Sequence, residues 1–123
     1  MLAKWDIVKV WRPDLSQPHN KFCICVDWER RWFLYFNSDP PLFRKARELA
    51  VSVENFEVGC LVKTSYVDTT SIVDDLPEKE LLEAVNDQTR RAGSVPPFIR
   101  ERIKEAVESH GVLTEEQRAA IVL

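Results

Sequence analysis

Five short runs rich in β-branched and aromatic residues fill the first three-fifths of the chain: Trp5–Trp11, Phe22–Val26, Trp32–Phe36, Leu49–Val53 and Cys60–Asp68. Runs of this length and composition are strand signals, too short for ordinary helices. The links between them carry turn chemistry: Pro13, Asp14, Ser16 and Pro18, then Asp27 to Arg31, then Asn37 to Pro41, then Glu54, Asn55 and Gly59. Strands at this spacing form a barrel or a sandwich. The segment Leu42 to Leu49 adds one helical turn or two.

After Pro77 the apolar period lengthens. Glu78, Glu80 and Glu83 crowd a first helical turn, where carboxylates complement the helix dipole, and Leu81, Leu82 and Val85 share a face. This helix is expected to end near Gly93. A second starts at Pro96, with Ile99, Ile103, Ala106 and Val107 on one stripe, and stops at Gly111. Thr114 and Gln117 have capping-box spacing for a third, Glu115 to Val122. The fold class expected is therefore α+β: one domain, residues 1–123, with a small antiparallel β-barrel over 5–73 and a helical part over 77–122. Trp5, Ile7, Ile24, Val26, Phe36 and Val62 are its expected core residues.

Composition narrows the function. The formal net charge is −3, but the first 50 residues carry nine Lys/Arg against six Asp/Glu, and the remainder eight against fourteen. The positive first half favours an anionic partner there, while the overall charge excludes an indiscriminate polyanion binder. No apolar stretch approaches the roughly 20 residues of a membrane span. Met1 to Asp6 lacks the pattern of a secretory signal, so a cytoplasmic location is expected, with Cys23, Cys25 and Cys60 as thiols. These cysteines lack a CxxC knuckle, and no metal site and no cofactor are expected. Gly-rich phosphate loops, HExxH and Gly-x-Ser-x-Gly are absent, which removes the well-marked enzyme classes.

Three constellations have chemistry to offer. His19 and Lys21 pair a group that titrates near neutrality with a cation able to hold a phosphate oxygen. Lys63 to Ser71 is dense in hydroxyls; Thr64, Tyr66 and Asp68 alternate to one face, and Lys63, Ser65 and Val67 to the other. Arg44, Lys45 and Arg47, with Arg30 and Arg31, form a candidate phosphate-binding rim near exposed aromatics. Each has a plainer reading: a polar turn, a half-exposed strand using threonine for its β-propensity, and a solvated charged face.

The opening Trp5-Asp6-Ile7-Val8-Lys9-Val10, the strand Lys21-Phe22-Cys23-Ile24-Cys25-Val26 after a polar loop, and Leu61-Val62-Lys63-Thr64-Ser65 leading through Pro77 into an acidic helix resemble the MazF/PemK (CcdB/Kid-type) toxin family. The resemblance covers about residues 4 to 92 and lies in order and spacing more than in identity. It implies an SH3-like antiparallel barrel with C-terminal helices, a homodimer, and metal-independent endoribonuclease activity on single-stranded RNA, neutralised by an antitoxin. On that reading His19 or Asp68 is the general base, Lys21 stabilises the phosphorane, and Ser65 or Tyr66 positions the substrate. Arg30, Arg31, Ser38, Arg44 and Lys45 complete the RNA-binding set.

This chain departs from the family pattern at Lys21-Phe22, where the family has Arg-Pro, and at Val67-Asp68, where the family has a late arginine. The family's catalytic Ser/Thr finds only Ser38 or Ser52 nearby. A non-catalytic barrel that docks a protein partner is the alternative expectation, and a gyrase-directed toxin a third.

Overall fold

A computed structural model describes residues 1–123. Strands β1 (Asp6–Arg12), β2 (His19–Asp27) and β3 (Trp32–Phe36) form an antiparallel meander, with Ile7 opposite Ile24 and Ile24 opposite Leu34. The short helix α1 (Arg44–Leu49) leads into β4 (Val51–Val53), which pairs with β5 (Ser65–Val67) as a separate two-stranded sheet. Helix α2 (Glu78–Val85), a 3₁₀ turn over Gln88–Arg90 and β6 (Arg91–Ser94) follow, then helices α3 (Pro97–Glu108) and α4 (Glu115–Val122).

The main sheet has the order β3-β2-β1-β6. Isolated bridges Phe33↔Val73 and Asn37↔Tyr66 tie other segments to it, and no continuous ladder closes the strands into a barrel. The fold is thus α+β, with an antiparallel sheet and helices after it, rather than a single curled sheet over 5–73.

Strand alternation sends the two sets of side chains to opposite faces. Ile7, Ile24, Leu34 and Phe36 join Val51, Val53, Val67, Ile99, Ile103, Val107 and Ile121 in one apolar layer. Val8, Val10, Cys23, Cys25 and Phe33 pack with Leu81, Ala84 and Val85 of α2 in the other. Trp5, Ile7, Ile24, Val26 and Phe36 are buried as expected.

Val62 is the correction: it is 91% exposed. Of the run Cys60–Asp68 only Ser65–Val67 finds a partner strand, and the turn closed by Leu61 N–H to the Val58 carbonyl leaves Val62 outside. Likewise Leu49 ends a helix, so the next strand starts at Val51.

The helix expected to reach Gly93 stops at Val85. Asp87 caps the following turn through Thr89 N–H, and Arg91–Ser94 becomes a strand against the outer edge of β1. That edge would otherwise present unpaired backbone groups. Leu82 accordingly faces outward while Leu81 and Val85 are buried. The Thr114–Gln117 capping box is present, with reciprocal bonds of 3.1 Å each.

Candidate functional site

The site begins with an unequal pair of strands. Pro40 and Pro41 cannot extend a ladder, and β3 stops at Phe36, opposite Phe22. His19, Asn20 and Lys21 therefore pair with β1 alone, and their other edge is free. Asn37 turns away from β2 and exchanges two backbone hydrogen bonds with Tyr66, at 2.9 and 2.7 Å. Two adjoining cavities open along the free edge.

The first, about 310 Å³, is lined by Phe22, Phe36, Leu61 and Val62 together with His19, Asn20, Lys21, Ser38, Lys63 and Ser65. The second, about 390 Å³, is more polar and includes His19, Lys21, Asn37, Ser38, Asp39 and Asp68. His19, Lys21 and Ser38 line both.

His19 Nδ1 lies 2.6 Å from the Gln17 carbonyl. A carbonyl only accepts, so Nδ1 carries a proton, and in the neutral ring Nε2 is left as a base. Lys21 Nζ donates to Asn37 Oδ1 at 2.5 Å and stands 4.6 Å from the centre of the Tyr35 ring. Burial lowers the Lys21 pKa below the ordinary lysine value, the Arg12 charge lowers it further, and Cys23 and Asp39 oppose both. Asp68 Oδ1 accepts from the N–H and hydroxyl of Thr70, at 2.9 and 2.6 Å, which holds the carboxylate at the cavity wall.

The remaining sequence-predicted residues divide. Ser65 reaches the first cavity, although its buried hydroxyl donates to the Lys63 carbonyl at 3.1 Å. Tyr66, its neighbour on β5, is half-buried and lines neither cavity.

Arg30 and Arg31 stand in the β2–β3 connection, at the far end of β2 from His19, about 27 Å away along an extended strand. Arg30 lies over Trp32; Arg31 lies over Trp28 and pairs with Glu78. Arg31 also takes a left-handed backbone, φ 56°, where a turn would ordinarily use glycine. Arg44 pairs with Glu48 within α1, and Lys45 is exposed on the same helix. These four cations do not line either cavity.

Sequence reasoning missed three residues behind Lys21: Asn37, Tyr35 and Arg12. Arg12 is 2% exposed and donates to Tyr35 Oη, to both oxygens of Asp14 and to both of Asp75. Its position at the end of a β-strand, before Pro13, gave no sign of burial. Tyr35 and Asn37 read only as an aromatic strand residue and a turn residue. The one available signal was alternation: Arg12 shares a face with Val8 and Val10, and Tyr35 with Phe33.

No group of three or more His, Cys, Asp or Glu side chains is arranged to hold a metal ion. No helix is long and apolar enough to cross a membrane. The cysteines are unpaired; burial pushes the thiols of Cys23 and Cys25 up to about 12. Compared with known proteins, the chain matches no family model and no curated sequence.

Proposed function

We propose that this chain is a divergent MazF/PemK-like toxin: a cytoplasmic, metal-independent endoribonuclease that cuts single-stranded RNA, built on a partly open SH3-like barrel. It works as a homodimer and is checked by an antitoxin-like protein. The observation that carries the reading is the convergence of His19, Lys21 and Ser38 on two adjoining cavities, with Asp68 on the wall of one.

His19 Nε2 takes the proton of a ribose 2′-hydroxyl, whose oxygen attacks the adjacent phosphorus. The Lys21 ammonium neutralises the charge that develops on the phosphoryl oxygens and gives a proton to the departing 5′-oxygen. The products are a 2′,3′-cyclic phosphate and a 5′-hydroxyl. Ser38 positions the phosphate, and Asp68 orients the ribose hydroxyl or its proton acceptor. No cofactor enters the reaction.

Single-turnover cleavage of a labelled RNA in EDTA tests this. Lys21→Ala should cut the rate by about 10²-fold or more, on the order of 3 kcal/mol in the barrier, with weaker effects on binding. His19→Ala should lower the rate by about 10²-fold or more, as loss of a general base does. Equal rates for wild type, His19→Ala, Lys21→Ala and Asp68→Asn would discard the site.

A second reading, a non-catalytic barrel that binds a protein partner, draws support from Leu42 and Val62. Both line the cavities yet are 92% and 91% exposed, beside exposed Phe43. Large apolar side chains clustered at one edge are interface material. Absence of cleavage across varied RNAs would favour it.

A further inference from the structure

Lys21 lines the two cavities on one side and meets a polar cluster on the other. Its ammonium is held by two contacts of different kinds, a hydrogen bond to Asn37 Oδ1 and the face of the Tyr35 ring. A lysine side chain on a free strand edge has several rotatable bonds, and one contact alone would leave its head mobile. Two contacts from separate directions define a position.

Neither partner is free to drift. Asn37 is tied through its backbone to Tyr66 of β5, so the acceptor is set by the bridge between the two sheets. The Tyr35 hydroxyl, at the other end of the ring from β3, accepts from Arg12 Nη1. The guanidinium in turn is gripped by Asp14 from the β1–β2 loop, 2.9 Å to Nε, and by Asp75 from the segment before α2, 3.3 Å to Nη1. A planar fork can serve a phenol and two carboxylates together because its donors point in fixed, different directions.

We infer that Arg12 is a positioning residue for this site, acting through Tyr35, and that Arg12, Tyr35 and Asn37 form a cradle that holds the Lys21 ammonium where the two cavities meet. The charged and titratable groups around that ammonium are Arg12 from β1, Cys23 on its own strand, Tyr35 from β3, and Asp39 after it, with His19, Lys63 and Asp68 at the cavity walls. Arg12 never meets the substrate. It sets the ring, and the ring sets the lysine. The consequence for RNA cleavage rests on the reading of Lys21 as the phosphate-facing cation; the cradle itself does not.

Two measurements keep those parts distinct. Residue-resolved acetylation of the folded protein by a water-soluble acylating reagent reports the Lys21 amine directly, with exposed Lys45 as the internal reference. Single-turnover RNA cleavage reports its use. Tyr35→Phe keeps the ring and removes the hydroxyl, Arg12→Lys keeps the charge and removes the fork, and Asn37→Ala removes the acceptor. Thermal melting and circular dichroism restrict the comparison to folded variants, and Tyr35→Phe, the mildest change, is decisive if Arg12→Lys unfolds.

At neutral pH, where the ammonium that the cradle holds predominates, each variant should raise the Lys21 to Lys45 labelling ratio at least threefold. Cleavage should fall about tenfold in the maximal single-turnover rate, with the half-saturating RNA concentration within twofold. The double variant Arg12→Lys/Tyr35→Phe should be no worse than Tyr35→Phe alone, because the effect of Arg12 passes through the hydroxyl. An unchanged labelling ratio in Tyr35→Phe, or fully additive effects in the double variant, would overturn the cradle. If the wild type cuts no RNA, the nuclease reading fails, while the labelling ratios still decide the cradle.

Discussion

On one face of the main sheet Ile7, Ile24, Leu34 and Phe36 meet β4, β5, α3 and α4 in an entirely apolar layer; on the other, Val8, Cys23 and Phe33 meet α2, and the same rows continue into Arg12, Lys21 and Tyr35. The first face is closed by four elements. The second is covered by one helix of eight residues, too short to span strands of seven and nine. Its uncovered end must be polar, and its charges must be paired there or reach water. Lys21, Tyr35 and Arg12 lie where the second face runs out from under α2, because a strand's alternation continues after the helix that justifies it has ended; Phe22 and Phe36 bring the end of the first face to the first cavity.

The comparison breaks most readily at the centre of the sheet. Phe33→Ala, under α2, should cost about 3–5 kcal/mol in denaturant unfolding and Leu34→Ala, in the opposite layer, about 2–5 kcal/mol, since both side chains are fully buried. If the two faces differ in function, only Phe33→Ala should also loosen Lys21, as read by its acetylation. Equal acetylation in both variants would mean that the helix-covered layer does not support the site.

Arg12→Ala comes next. It removes a buried cation and leaves the Tyr35 hydroxyl without its donor, at a cost of about 3 kcal/mol, the low end for a broken buried pair because Asp14 and Asp75 remain open to water. A urea titration in which this variant is as stable as the wild type would show the cluster to be a surface pair.

A third effect follows from pH. Cys23, Cys25 and Tyr35 lie together on the α2 face, and burial pushes all three up to about 12, from ordinary values of 9.0 for the thiols and 10.0 for the phenol. Between about pH 9 and pH 12 the unfolded chain releases these protons and the folded chain retains them. Stability must therefore fall as pH rises through that window. The urea midpoint should decline from pH 8.5 to 10.5, and Cys25→Val should make the decline shallower. A midpoint independent of pH would show that these groups ionise in place.

The smallest effect lies farthest from the site. Thr114→Ala removes the cap that accepts from Gln117 N–H at 3.1 Å, costing about 1 kcal/mol, and should leave Lys21 acetylation unchanged. A change in labelling here would extend the coupling to the apolar face.

Much of this was legible in the amino-acid order. The three strands of the meander, the stripe Ile99–Ile103–Val107 and the Thr114–Gln117 box depend on contacts or periodicities that repeat within a few residues, and the sequence carries those directly. His19 and Lys21 could be paired because they are two apart on one strand. Arg30 and Arg31, read with Arg44, Lys45 and Arg47 as a phosphate-binding rim, stand at the other end of that same strand.

What local order could not supply was partner choice. Arg91–Ser94 has weak strand character of its own and becomes β6 because β1 offers an open edge; Leu61–Thr64 reads as strand and stays outside the ladder because its partner β4 ends at Val53, opposite Ser65. Arg12, Tyr35 and Asn37 are unremarkable one by one. The tertiary structure decided that they converge behind Lys21, since a buried guanidinium is tolerable only where Asp14 and Asp75, the latter 63 residues away, arrive to pair with it.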